Sequence, residues 1–173
     1  MNAREIAFAA MFIALTAIGA WIEVPIGPVP VTLQVLMVLL AGLLLGARLG
    51  FVSMLLYILT GAVGLPVFAG FSGGFVHIYG PTGGYLLAFP IAAFLAGYIT
   101  EKTGESVRGM TIGSLLGVLV IYALGWLRLG LFMAGDFGKA FELGVLPFVP
   151  FDVLKAAIAV GVAKTVRKMV EVA

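Results

Sequence analysis

Charged residues and cysteine are what this sequence has least of. Only 10% of its 173 residues are charged and none is cysteine, whereas 62% are hydrophobic. A soluble domain of this size carries about 25% charged residues, and a chain without cysteine has neither a disulfide framework nor thiol chemistry. The composition therefore predicts an integral membrane protein that lies almost wholly in the lipid bilayer. The net charge of +2 comes from basic loop ends and does not indicate nucleic acid binding.

The sequence also lacks the motifs of common enzyme classes. It contains no G-x-x-x-x-G-K-[ST] phosphate-binding loop, no H-E-x-x-H zinc motif and no cluster of Cys and His. The single histidine, His77, makes no metal site by itself. We therefore expect no enzyme activity, no metal and no cofactor, so that any ATP-driven work must come from a partner. No small-residue cleavage site follows the first apolar run, which favours a membrane span over a removed signal peptide.

Six apolar stretches predict an all-α membrane protein with six transmembrane helices, and residues 1–173 are expected to form one domain. The predicted spans are residues 6–22, 31–45, 50–64, 84–100, 110–127 and 150–166. Since one span needs about 20 residues, only short loops remain. Residues 128–144 are predicted to be a loop of mixed composition.

Basic residues predict the orientation of these spans. With the N-terminus inside, the inner segments hold Arg4, Arg48, Lys102, Arg108, Lys164, Arg167 and Lys168, whereas the outer loops hold Arg128 and Lys139. By the positive-inside rule both termini are predicted to be cytoplasmic, in a multi-pass protein of the cell membrane. The outer face then presents the Pro25–Pro30 turn, a glycine-rich loop between helices 3 and 4, and the segment before Pro147, which can converge on one site.

The glycine-rich loop spans residues 61–84 and has the sequence GAVGLPVFAGFSGGFVHIYGPTGG. It holds eight of the 24 glycines of the whole chain. Backbone this rich in glycine and proline does not form an ordinary membrane helix. Irregular backbone at membrane depth is tolerated only where protein buries it or where it lines a cavity. A flexible connection is the alternative, but Phe68, Phe71 and Phe75 are too apolar for a solvated linker. Ser72 lies among the glycines, where its hydroxyl can face a ligand.

Three polar residues within the spans are candidates for a binding site. Asp152 and Lys155 are three residues apart, so they share one face of the sixth helix near its outer end. Ionisable residues inside a span indicate function by default; the alternatives are a structural ion pair or a lysine that snorkels to the interface. Gln34 lies near the outer mouth of the second span, where a helix–helix hydrogen bond is the alternative to ligand binding.

Five short segments, taken in order along nearly the whole chain, resemble one family. They are GPVPVTLQ (27–34), GLPVFAG (64–70), GG (73–74), GPTGGY (80–85) and D-x-x-K (152–155). This set resembles the BioY family, the biotin-specific substrate-binding (S) subunits of energy-coupling-factor (ECF) transporters. The resemblance implies six helices, an external biotin pocket, a membrane coupling subunit and two cytoplasmic ATPases. It also implies that the first helix contacts the coupling subunit through an Ala-x-x-x-Ala pattern, which Ala10 and Ala14 match; the alternative is that alanine is simply common in membrane helices.

The chemistry of biotin suggests roles for the candidate residues. Asp152 can accept a hydrogen bond from a ureido N–H, and Lys155 can bind an acceptor oxygen or hold Asp152 in place. Neutral hydrogen bonds are expected from Gln34 and Ser72, and ring packing from Tyr85. The sequence departs from the family pattern at Ser72, where relatives often carry Asn, and at Phe71, where Gly is common.

Two alternatives to biotin capture stay open at this point. One is an S subunit of the same architecture for a different vitamin. The other is a membrane channel for a small neutral solute, with the glycine-rich loop as its filter. A channel predicts flux without tight binding, whereas a capture subunit predicts tight stoichiometric binding and little flux alone.

Overall fold

A computed structural model describes the fold of residues 1–172 and the side chains of residues 1–170. The described chain is mostly helical. Its helices are α1 (Ala3–Trp21), α2 (Gln34–Ala62), α3 (Val76–Tyr79), α4 (Gly83–Lys102), α5 (Val107–Phe132), α6 (Phe137–Gly144) and α7 (Val149–Val172). The strands β1 (Glu23–Val24) and β2 (Val31–Thr32) pair antiparallel after α1, and a short 3₁₀ turn spans Ala69–Phe71.

The long helices have the length and apolarity of membrane spans. The helices α1, α2, α4 and α5 each satisfy both conditions. The helices α6 and α7 meet at 49°, and this bent pair makes a fifth span when it is counted as one. Their outward faces carry large apolar side chains such as Leu119 and Leu154, each 59% exposed. Because such surfaces need lipid around them, the expectation of an all-α, multi-pass membrane protein is confirmed.

The helix α2 doubles back on itself at Gly46. Gly46 has φ +84° and ψ 177°, a conformation outside the helical region. The side chains of Gln34 and Tyr57 are hydrogen-bonded at 2.8 Å, whereas 23 residues of straight helix would separate them by about 35 Å. Residues 34–45 and 47–62 are therefore two antiparallel arms. They correspond to the predicted spans 31–45 and 50–64, and they are joined more tightly than the sequence indicated.

Side chains from other helices stabilise the break at Gly46. An oxygen of the Glu101 carboxylate accepts a hydrogen bond from the amide of Ala47 at 2.8 Å, which satisfies a free N–H at the start of the second arm. Arg167 of α7 donates through Nε to the carbonyl of Leu43 at 3.0 Å and forms an ion pair with Glu105. One backbone group on each side of the break thus has a side-chain partner from a distant helix.

Small residues allow α4 to pack closely between α2 and α5. Ala92 and Ala96 of α4 are fully buried. A Cβ added to Gly113 of α5 would lie 2.9 Å from the carbonyl oxygen of Ala96, and one added to Gly117 would lie 3.1 Å from that of Ala92. These glycines, spaced four apart, therefore let two helix backbones approach each other, as in other small-xxx-small contacts.

Two segments predicted to be loops contain helix. The prediction of a mixed loop over residues 128–144 is wrong, because α5 extends to Phe132 and α6 begins after Asp136. The Asp136 side chain accepts from the amide of Lys139 at 3.0 Å and so caps α6. The glycine-rich segment also has local structure, since it includes the 3₁₀ turn and α3.

The elements that build the candidate site gather at one end of the helices. The C-terminus of α1, the β1–β2 hairpin, residues 63–82, α6 and the first turn of α7 all lie at this end. The Gly46 break, residues 103–106 and the C-terminal turns of α7 lie at the other end, where Glu105 and Arg167 meet. Sequence-distant segments therefore converge on one mouth.

Candidate functional site

A cavity of about 530 Å³ opens at the end of the helices where these segments converge. This volume lies in the range of about 300–1,000 Å³ that is usual for small-molecule sites. Aromatic and aliphatic side chains form most of its wall, and the polar groups are few. The lining residues used below are Glu23, Thr32, Gln34, Phe68, Ser72, His77, Tyr85, Phe89, Tyr122, Phe148 and Asp152.

The charged centre of the cavity is Asp152, in the first turn of α7. Its Oδ1 accepts from Nζ of Lys155 at 2.8 Å, and its Oδ2 accepts from the hydroxyl of Tyr122 at 2.7 Å. Asp152 is 2% exposed and Lys155 is 6% exposed. A buried charge needs such partners, and the carboxylate keeps lone pairs that can accept further hydrogen bonds. The site thus presents a fixed, oriented acceptor to the cavity.

Lys155 itself is not among the residues that line the cavity. Lys155 follows Asp152 by three residues in α7, and its ammonium group contacts the Asp152 carboxylate without lining the cavity. Of the two roles considered for Lys155, the geometry therefore favours the one in which it holds Asp152. Tyr122, which sequence reasoning missed, shares that role from α5.

A second polar group sits at the start of α2. The Gln34 side chain donates through Nε2 to the Tyr57 hydroxyl at 2.8 Å and accepts through Oε1 from Thr32 at 3.0 Å. Tyr57 in turn donates to the carbonyl of Val67 at 2.6 Å. These bonds fix the orientation of the amide and connect α2 to the glycine-rich segment. One amide N–H and one oxygen lone pair of Gln34 are left for a ligand.

The glycine-rich segment covers one side of the cavity. The Ser72 hydroxyl donates to the carbonyl of Ala69 at 2.6 Å, so its oxygen is left as an acceptor. Phe71 has φ +54°, a backbone conformation that glycine adopts more easily. The Phe71 ring stacks on Trp21 with centroids 4.9 Å apart and so joins this segment to α1.

Tyr85 lies at the start of α4 and is 8% exposed. Its hydroxyl donates to the carbonyl of Gly144 at 2.7 Å, which joins α4 to α6. With its polar atom occupied, Tyr85 offers the cavity its ring. This arrangement suits packing against an apolar part of a ligand.

Four of the five residues predicted to bind substrate, Gln34, Ser72, Tyr85 and Asp152, line one cavity, whereas Lys155 lies behind it. Their contact with a ligand stays a prediction. Sequence reasoning missed Tyr122 and Tyr57, which are 30 and 23 residues from their hydrogen-bond partners. It also left out Glu23, although an acidic residue between an apolar helix and a proline-rich turn was a usable signal.

The fold and the cavity define a multi-pass membrane protein with a largely apolar small-molecule site at one end of its helices. The chain belongs to the BioY family, whose sequence pattern it matches over residues 1–172. The resemblance drawn from the short motifs is thereby confirmed.

Three relatives illustrate the match to the family. A "Probable biotin transporter BioY" of Pyrococcus horikoshii is 56% identical over 167 residues, which are 96% of this chain and 98% of the relative. The "Biotin transporter BioY" of Thermotoga maritima is 43% identical, over 96% of this chain and 97% of the relative. That of Rhizobium etli is 37% identical, over 92% and 90% respectively. These relatives are transporters by name, in agreement with the expectation that the chain is not an enzyme.

A solved structure has the same fold. It is a crystal structure described as the S-component for biotin from an ECF-type ABC transporter. The TM-score is 0.89 at 29% sequence identity, and the match covers 97% of this chain and 95% of the other. The whole helical arrangement, and not one part of it, is therefore shared.

Proposed function

We propose that this protein is a biotin-capturing S subunit that takes up biotin across the cell membrane as part of an ECF-type transporter. The observation that carries the proposal is the Asp152 carboxylate, held at the cavity wall by Tyr122 and Lys155. Biotin has a ureido ring with two N–H donors, and a carboxylate that is already oriented accepts such donors without reorganisation. The names of the family members support the same ligand.

The remaining wall suits the rest of the ring system. Phe68, Phe89 and Phe148 are buried side chains that line the cavity, and they offer apolar surface to a sulfur-containing ring. Gln34 and Ser72 have unused hydrogen-bonding capacity on the same cavity. With the ureido ring at Asp152 and the sulfur ring against the phenylalanines, Tyr85 packs against the ligand, and Lys155 acts only through Asp152.

The topology that follows has six membrane spans in a single domain, residues 1–173. Counting the two arms of α2 as separate spans, and α6 with α7 as one, gives six. The cavity and the glycine-rich segment then face outside, and both termini are cytoplasmic. Seven basic residues lie toward the cytoplasmic end, against Arg128, Lys139 and the buried Lys155 at the other. The chain has no cysteine, so a single introduced cysteine can be labelled specifically. Val63→Cys and Lys102→Cys are both at exposed positions and should react with an impermeant thiol reagent from opposite sides of the membrane. Labelling of both from the same side would refute this topology.

The partners in this proposal are a membrane coupling subunit and two cytoplasmic ATPases, in addition to the surrounding lipid. Ala10 and Ala14 lie on the exposed face of α1, whereas Phe12 and Thr16 face the core. A helix with small residues on its outward face allows close approach of another helix. The ligand site and this face are separate, so capture and assembly can be tested independently.

A binding screen of the purified protein tests the function directly. Biotin, thiamine and riboflavin are titrated separately, and biotin is expected to bind tightly with one molecule per chain. Tight binding of another vitamin in place of biotin would favour an S subunit of different specificity. Flux of small solutes through vesicles containing the protein alone, without tight binding of any of them, would favour the channel.

A further inference from the structure

The cavity has an uneven set of charged groups. Its described lining includes the carboxylates of Glu23 and Asp152 and one imidazole, His77, but neither lysine nor arginine. The basic residues at this end have other surroundings. Lys155 donates to Asp152, Arg128 donates to the carbonyl of Tyr79, and Lys139 is exposed on α6.

This distribution of charge favours one orientation of a ligand that carries both a neutral ring and a carboxylate. Asp152 faces the cavity as an acceptor, so it attracts ureido N–H groups, whereas it has no proton to donate to a carboxylate. We therefore expect the carboxylate tail of biotin, bound as proposed above, to point away from Asp152. Glu23 lies elsewhere on the wall, beside the glycine-rich segment, where a Cβ added to Gly70 would be 3.5 Å from its Oε1. A free carboxylate directed there meets a second negative charge and no lysine or arginine in the lining.

We propose, on the basis of the proposed function, that the cavity recognises the ring system of biotin and not its carboxylate, and that Glu23 sets this preference. The site then binds amide-linked biotin derivatives at least as tightly as free biotin. The neutral amide keeps the ring and the chain while it removes the repulsion by Glu23. The substrate class is accordingly biotin together with derivatives modified at its carboxyl group.

The test compares biotin with biotin primary amide on the wild type and on Glu23→Gln by calorimetric titration. We expect the amide to bind the wild type as tightly as biotin or up to about fivefold more tightly, the range for charges near solvent. Glu23→Gln should raise the affinity for biotin by about two- to fivefold and leave that for the amide unchanged. Glu142→Gln, on an exposed residue of α6 outside the cavity lining, makes the same change in net charge and should affect neither ligand.

Several results would overturn the inference. Amide binding tenfold or more weaker than biotin binding would mean that the site recognises the carboxylate. A His77→Gln variant that loses affinity for biotin but not for the amide would identify the imidazole as the recognising group, with the same consequence. If neither ligand binds the wild type, the proposed function fails and the inference with it, whereas tight biotin binding with loss of the amide refutes the inference alone.

Discussion

Nζ of Lys155 lies 2.8 Å from Oδ1 of Asp152, and both side chains are almost fully buried. Only Asp152 lines the cavity. The lysine therefore neutralises and orients a carboxylate that lines the cavity and keeps free lone pairs. In the proposed function the two roles are divided: Asp152 accepts from the ligand, and Lys155 holds Asp152.

Replacing Lys155 by methionine should destabilise the protein. The methionine keeps the apolar stem but leaves Asp152 buried without its cation, and breaking such a pair from one side costs about 3–5 kcal/mol. Adding Asp152→Asn should restore much of the thermal stability, because no unpaired charge remains. Biotin affinity of the double variant should stay near that of Asp152→Asn alone, measured by calorimetry beside thermal unfolding. A double variant with wild-type affinity would remove both residues from the site.

Replacing Tyr122 by phenylalanine tests the other partner of Asp152. The ring stays and only the hydroxyl, which donates to Oδ2 at 2.7 Å, is lost. We expect biotin affinity to fall by about 1 kcal/mol, close to fivefold, with a smaller effect than that of Asp152→Asn. Tyr98→Phe, at an exposed tyrosine of α4 outside the cavity lining, is the matched control. Equal affinities in the two variants would exclude Tyr122 from the network.

Replacing Gly46 by alanine tests the fold-back of α2. Backbone with φ +84° and ψ 177° is essentially restricted to glycine, and another residue there costs about 1–3 kcal/mol. An added Cβ would also meet the carboxylate of Glu101. Gly161→Ala in α7 is the control, since a Cβ there has no neighbour within 4 Å, and it should stabilise the helix by about 0.5–1 kcal/mol. Thermal unfolding in detergent measures both, and equal stability of the two variants would argue against the break.

Leucine at Ala10 or Ala14 should weaken assembly with the coupling subunit and leave biotin binding unchanged. Both alanines are exposed on α1, and larger side chains keep packed helices apart. The matched control is Ala157→Leu, the same substitution on the exposed side of α7. Co-purification with the coupling subunit and the ATPases measures assembly. Normal assembly of both α1 variants, with biotin binding lost, would show that this face packs within the subunit itself.

Local sequence features predicted the parts of the fold that depend on neighbouring residues. The helical spacing of Asp152 and Lys155 was sufficient to place them on one helix face, since i and i+3 are neighbours there, and the structure pairs them. The partners of Asp152 and Gln34 on other helices could not be predicted, since Tyr122 and Tyr57 approach them only through tertiary packing. The tight reversal at Gly46 was hidden for a related reason: it depends on Glu101 and Arg167, which satisfy the backbone from distant helices.

The short helix α6 was missed on different grounds. It has only eight residues, and two of them, Lys139 and Glu142, are charged, so it has neither the length nor the apolarity of a membrane span. Its start signal was present in the sequence, because Asp136 is a favoured N-cap residue. An interpretation based on span length alone does not detect helices of this size.

The measurement that tests the account most directly is a calorimetric titration of biotin into the wild type and into Asp152→Asn. Asparagine keeps the size of the side chain, but it has no charge, and an NH₂ group that can only donate replaces one of the two accepting oxygens. We predict one biotin bound per chain in the wild type and a loss of about 1.5–3 kcal/mol in the variant, which is about 10- to 150-fold in affinity. Wild-type affinity in a folded Asp152→Asn protein would contradict the claim that this carboxylate recognises the ligand.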